Sequence, residues 1–197
     1  MHLSYPQRVL LNDFSVRIPA GVSLLLGGGG SGKTTLLRLL AGDLPVQSGQ
    51  LTINHVSLSE QPEAYRQRVF WIDPRSEAFD QLSPGAYFDS IQARYPQFDQ
   101  VRLAALIEGL ALAPHMDKAL YKLSTGSKRK VWLAAAFASG AALTLLDEPF
   151  AALDKSSINF VLHLLEEFAT HTTRAWLVSH YDTLGTLPLA AVIDLGD

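Results

Sequence analysis

Residues 27–35 read GGGGSGKTT. Glycine loses more backbone freedom on folding than any other residue, so such a run points to a loop that needs bare backbone. Its flanks restrict the fold further. The apolar run Val22 to Leu26 reads as a strand buried on both faces. After the loop, KTTLLRLLAGDL sets Leu36, Leu37, Leu39 and Leu40 at helical spacing, with Gly42 as a stop. Strand, glycine turn and helix open an α/β unit.

Gly27, Gly32, Lys33 and Thr34 satisfy the pattern G-x-x-x-x-G-K-[ST]. In such a loop the backbone N–H groups of Gly28, Gly29, Gly30, Ser31, Gly32, Lys33, Thr34 and Thr35 surround a phosphate chain, which Cβ atoms would obstruct. The positive end of the following helix dipole faces the same anion. Lys33 is expected to reach the β- and γ-phosphates and the Thr34 hydroxyl to meet Mg²⁺. The loop alone does not choose between kinases, GTPases, motors and transport ATPases.

The chain has 197 residues, 48% of them hydrophobic and 18% charged, so it has the length and composition of one folded domain. Its net charge of −3 gives no argument for a nucleic-acid partner. With no cysteine, disulfides, thiolate metal sites and thiol catalysis are excluded. No basic-plus-apolar leader opens the sequence. The longest uncharged stretch, Val131 to Leu146, is shorter than a membrane span and is broken at Ser139-Gly140.

Along the chain, Phe14 to Ile18 alternates like a strand, and QLTIN and RVFWI read as further strands. Ser83-Pro84 opens a mostly helical stretch that runs to Ser139. Then ALTLL, AWLVS and AAVID read as strands, with the helix SSINFVLHLLEEFA after the first. Both ends of the chain therefore look α/β, with a helical piece between them.

LTLLDEP delivers Asp147 and Glu148 at the end of a buried run, where two adjacent acids need a cation nearby. Beside a phosphate loop, Mg²⁺ supplies it. Asp147 is expected to hold the ion, and Glu148 to polarise an attacking water. WLVSH likewise places His180 at a strand end, where ligands of open α/β sheets sit.

These residues resemble the nucleotide-binding subunits of ABC (ATP-binding cassette) transporters over nearly the whole chain. GGGGSGKTT resembles the Walker A motif and LTLLDEP the Walker B motif with its glutamate. LSTGS, Leu123 to Ser127, is similar to the signature LSGGQ; ALD, Ala152 to Asp154, to the D-loop; Ser179-His180 to the switch histidine. The resemblance implies a P-loop NTPase (RecA-like) α/β fold: a mostly parallel sheet, antiparallel N-terminal strands and an inserted helical lobe. The core would take 1–75 and 136–197, the lobe 76–135.

It further implies binding and hydrolysis of ATP with Mg²⁺. Glu148, His180 and Lys33 would be catalytic, and Thr34 and Asp147 would hold the metal. Two copies, or this chain and a related cassette, would pair head to tail, with Ser124 and Gly126 of one facing the γ-phosphate held by the other. Asp154, in the D-loop-like turn, would join the nucleotide-binding residues, and Tyr5 would stack on adenine. Partner permeases would place the chain on the cytoplasmic face of the cell membrane. Its small size resembles free-standing bacterial cassettes of exporters.

Two departures stand out. Asp73-Pro74 occupies the place of the family's Q-loop glutamine, which puts coupling in doubt more than ATP binding. Thr125 and Ser127 alter the signature. LSTGSKRK, with Lys122, Lys128, Arg129 and Lys130, also reads as a polar turn or a basic patch. A soluble assembly ATPase and an ATP-sensing module remain as other readings.

Overall fold

A computed structural model describes residues 15–46 and 48–196, together with the backbone of 3–5 and 8–11. The central layer is a five-stranded, wholly parallel sheet. In chain order its strands are β3 (Gly21–Leu26), β6 (Val69–Phe70), β7 (Leu143–Asp147), β8 (Ala175–His180) and β9 (Ala191–Asp194). In space they run β6-β7-β8-β3-β9. Two antiparallel pairs accompany it: β1 (Leu3–Tyr5) with β2 (Arg8–Leu11), and β4 (Thr52–Ile53) with β5 (Val56–Ser57).

Side chains alternate across a strand, so a parallel sheet needs apolar residues for both faces. Trp176 and Val178 of β8 point with Val22 and Leu24 into one core cluster. Ala175 and Leu177 point with Leu25, Leu143 and Leu145 into the other. Helix α1 (Lys33–Leu40) covers the second face through Leu36, Leu37, Leu39 and Leu40. Helix α6 (Lys155–Ala169) covers the first through Val161, Leu164, Leu165 and Phe168.

Between β6 and β7 the chain forms α3 (Pro84–Arg94), α4 (Gln100–Gly109) and α5 (Thr125–Ala138). Ser83 caps α3, its Oγ accepting from Ala86 N at 3.2 Å, with Pro84 in the first turn. Asp99 caps α4 and Ser124 caps α5. Tyr87, Phe88, Ile91, Leu106 and the run Val131–Ala138 join the same cluster as Trp176 and Val178. The helical piece therefore shares the core of one sheet face.

The structure differs from the sequence reading in two places. Of the alternating piece Phe14 to Ile18, Phe14 lies outside the described residues and 15–18 form no strand; Pro19 offers no N–H to a ladder, and Val16 and Ile18 pack on the α1 side of the core. QLTIN is one arm of a hairpin whose turn, Asn54-His55, has left-handed φ at both residues (48° and 64°), followed by α2 (Pro62–Arg66).

Candidate functional site

Parallel strands all end on the same side, so β3, β7 and β8 bring the loop, the two acids and His180 to one edge of the sheet. Leu26 pairs with His180, and Asp147 with Ser179. This register, set by the apolar runs behind it, assembles the site.

The loop joins β3 to α1 through Gly30 (φ 82°) and Gly32 (φ 100°), backbone that β-carbons resist. Nothing lies within 4 Å of the place where a Cβ would stand on Gly29 or Gly30, so this face of the loop is open. Ser31 Oγ is buried without a hydrogen-bond partner. Bare backbone, an orphaned hydroxyl and a helix N-terminus on one loop fit an anion with several oxygens. The Lys33 ammonium donates to Gly27 O at 2.6 Å and Gly28 O at 3.0 Å, and lies 3.6 Å from Glu148 Oε1.

Thr34 Oγ1 donates to Asp147 Oδ2 at 2.7 Å, and Ser179 Oγ donates to Asp147 Oδ1 at 2.5 Å. A hydroxyl and a carboxylate in contact form an oxygen donor set suited to a hard cation that draws its other ligands from phosphate and water. Among the described residues no cluster of three His, Cys, Asp or Glu could hold a metal unaided.

Glu148 has a left-handed φ of 44°, rare outside glycine and worth about 1–3 kcal/mol of strain. Its N–H points to Ser179 O and Oγ, both at 3.2 Å. Its carbonyl accepts from the Arg129 guanidinium at 2.6 Å, and the same Nη1 reaches Asp147 O at 3.1 Å. Burial pulls the Arg129 guanidinium below the usual arginine range, while Asp147 and Glu148 pull it back up. Glu148 Oε2 lies 2.9 Å from His180 Nδ1, and Phe150 packs edge-on against the imidazole. An ionised carboxylate only accepts, so Nδ1 donates here.

Ser124 stands exposed at the N-cap of α5, accepting from Ser127 N at 3.1 Å. A Cβ on Gly126 would run into Ala152 O of the neighbouring turn. Among the described residues neither Ser124 nor Gly126 bonds to the 27–35 loop of its own chain. Asp154 caps α6 through Ser157 N at 2.9 Å and pairs with Lys130 at 2.7 Å. The Lys130 contact, with the Ser156 and Ser157 bonds, holds its carboxyl well below the usual range. Asp73 accepts from Arg75 N within its own turn. Tyr5 belongs to β1, and its side chain lies outside the described residues.

Sequence reasoning missed the contacts of Arg129 and the hydrogen bonds of the Ser179 hydroxyl to Asp147 and the Glu148 N–H. The run KRK looks like a solvated face, yet Lys128 pairs with Asp80 at 2.5 Å, Arg129 reaches the β7 end and Lys130 reaches Asp154. Only the two apolar turns that follow at Val131–Ala138 signal that α5 is deeply seated.

Comparison with known proteins agrees with this geometry. The chain is 32% identical over 194 residues to the cytochrome c biogenesis ATP-binding export protein CcmA of Pseudomonas fluorescens (strain Pf0-1), covering 96% of this chain and 90% of that one. It is 31% identical over 191 residues to the zinc transport system ATP-binding protein TroB of Treponema pallidum (strain Nichols), covering 91% and 70%. A solved ATP-binding subunit of an ABC transporter superposes with a TM-score of 0.81 at 24% identity, over 91% of this chain and 76% of that one. A dimeric post-hydrolysis cassette bound to ADP and Pi superposes at 0.74 and 18% identity, over 92% and 84%. The ABC transporter family model matches residues 11–151, and the chain therefore belongs to the ATP-binding subunits of the ABC transporter family.

Proposed function

We propose that this chain binds and hydrolyses ATP to drive a transporter whose membrane-spanning part is a separate permease. The observation that carries the reading is the Thr34–Asp147 bond at 2.7 Å beside the Lys33–Glu148 pair at 3.6 Å. It sets an anion-binding loop against a cation-binding carboxylate and a second carboxylate held by Lys33 and His180. The amides of 28–35 and Lys33 bind the phosphates. Thr34 and Asp147 would hold Mg²⁺, which would supply charge neutralisation to the phosphates. Glu148 orients water as its general base, and His180 steadies Glu148 and reaches toward the γ-phosphate.

Two copies close head to tail, each lending Ser124 and Gly126, on the amide end of α5, to the other's phosphates. Asp154 and Lys130 stiffen the turn behind Gly126, and Tyr5 meets adenine. The 76–135 lobe passes the closure to the permease on the cytoplasmic side of the membrane. Among the described residues no helix is long and apolar enough to cross a membrane, which fits a separate permease. Export is the favoured direction, because the export protein CcmA is matched over nearly its full length.

Glu148→Gln is the test. With Mg²⁺ and ATP the variant should form a stable dimer by light scattering, while the wild type releases phosphate. A variant that stays monomeric, with a wild type that releases no phosphate even beside its permease, would overturn the reading.

A further inference from the structure

The proposed mechanism leaves Arg129 without a role, and its setting is unusual. Residues 128–130 are three consecutive cations on the first turns of α5, and each engages a different element. Lys128 pairs with Asp80, in the segment leading to α3; Lys130 pairs with Asp154, the cap of α6. Arg129, between them, passes beneath the site. One nitrogen of its guanidinium donates to both Asp147 O and Glu148 O. Its Nε is buried and lacks a partner. With Pro74, Trp132, Asp147 and Pro149 it lines a cavity of about 30 Å³ under the strand end.

The acceptors are backbone carbonyls. A guanidinium bound there fixes the peptide that carries the two acids while leaving their oxygens available to other partners. The peptide it holds is the one at which Glu148 takes its left-handed φ of 44°. Ser179 acts on the Glu148 N–H, and Ala151 N donates to the Glu148 carbonyl at 3.2 Å, so Arg129 holds that carbonyl together with the turn that follows. Arg129 lies five residues beyond Ser124, about 7.5 Å along the helix, so the capping end and the clamp move as one rigid turn and a half.

We propose that Arg129 is a positioning residue for Glu148: it clamps the Asp147–Glu148 backbone to α5, so that the aim of the carboxylate depends on how α5 is seated. This rests on the ATP-hydrolysing reading above.

The test compares Arg129→Gln, Arg129→Lys and a control, Arg174→Gln, in the full chain. Arg174 is also partly buried and donates to a carbonyl, Ala141 O at 2.9 Å, but it precedes β8 at the opposite end of the sheet. Phosphate release, affinity for a fluorescent ATP analogue, melting temperature and amide hydrogen exchange at 147–152 are measured. Arg129→Gln should lower kcat about tenfold or more, keep nucleotide affinity within about threefold and speed exchange at 147–152. Arg129→Lys should restore part of kcat, since an ammonium can serve one of the two carbonyls. Arg174→Gln should lower the melting temperature and leave kcat unchanged.

If Arg129→Gln turns over like the wild type, or loses affinity and kcat only as Arg174→Gln does, the positioning role is overturned and the ATPase reading stands. If the wild type itself releases no phosphate, that reading fails, and exchange decides the clamp: unchanged rates at 147–152 in Arg129→Gln remove it.

Discussion

Ser179 Oγ and Asp147 Oδ1 are 2.5 Å apart at the paired ends of β8 and β7. The hydroxyl is fully buried, and its oxygen also receives the Glu148 N–H. One small side chain thereby sets the orientation of both acids. Ser179→Ala should cost about 1–3 kcal/mol of stability, the range for a buried hydrogen bond left with an unmatched partner. Turnover should fall more than nucleotide affinity. Urea unfolding and steady-state kinetics check the two parts.

Lys33 donates to two loop carbonyls and faces Glu148, so its removal affects both loop shape and anion binding. Lys33→Ala should weaken ATP binding by about 10- to 100-fold, equivalent to about 1.5–3 kcal/mol for a charge-assisted bond. Titration with a fluorescent ATP analogue measures it. Unchanged affinity would place the nucleotide elsewhere.

Gly126→Ala should destabilise the chain by about 1–3 kcal/mol, because the new methyl meets the Ala152 carbonyl. It should also abolish the ATP-dependent dimer of the Glu148→Gln background. Thr125→Gly, one residue earlier at an exposed position, should leave the dimer intact. Light scattering on the two double variants separates the effects.

His171 supplies a pH dependence. Its Nδ1 accepts from Arg174 N at 3.1 Å and Thr173 N at 3.3 Å, which requires the neutral ring. Burial, with Arg174 and Arg102 nearby, lowers its pKa from the ordinary value. The unfolded chain therefore binds this proton first as pH falls below about 6.5, and stability drops with pH until the folded form also protonates. His171→Gln should flatten the melting temperature between about pH 7 and 5 relative to wild type, as thermal scans across that range would record.

The elements that can be read from the sequence are those whose side chains meet the core on a regular period. Val22–Leu26, apolar but for Ser23, and Ala175–Val178 are apolar runs because both sheet faces are covered. Leu36 to Leu40 and Val161 to Phe168 carry the stripe of a helix lying on a sheet. The hairpin at 52–57 escapes because each arm is two residues long and its turn uses Asn54-His55 in place of glycine. In the site, Lys33, Thr34, Asp147, Glu148 and His180 announce themselves through strand ends and spacing. Arg129 does not, because its partners are carbonyl groups, which every residue has and no motif records.

The Lys33 ammonium has three hydrogens. Two are taken by Gly27 O and Gly28 O, and the third side is turned toward Glu148. Under the proposed mechanism, an incoming γ-phosphate would compete for that third side with stronger charge and would repel the carboxylate it displaces. The glutamate would thus gain freedom to act on water only once the triphosphate had arrived, a latch that would keep the base occupied while there is no fuel to burn.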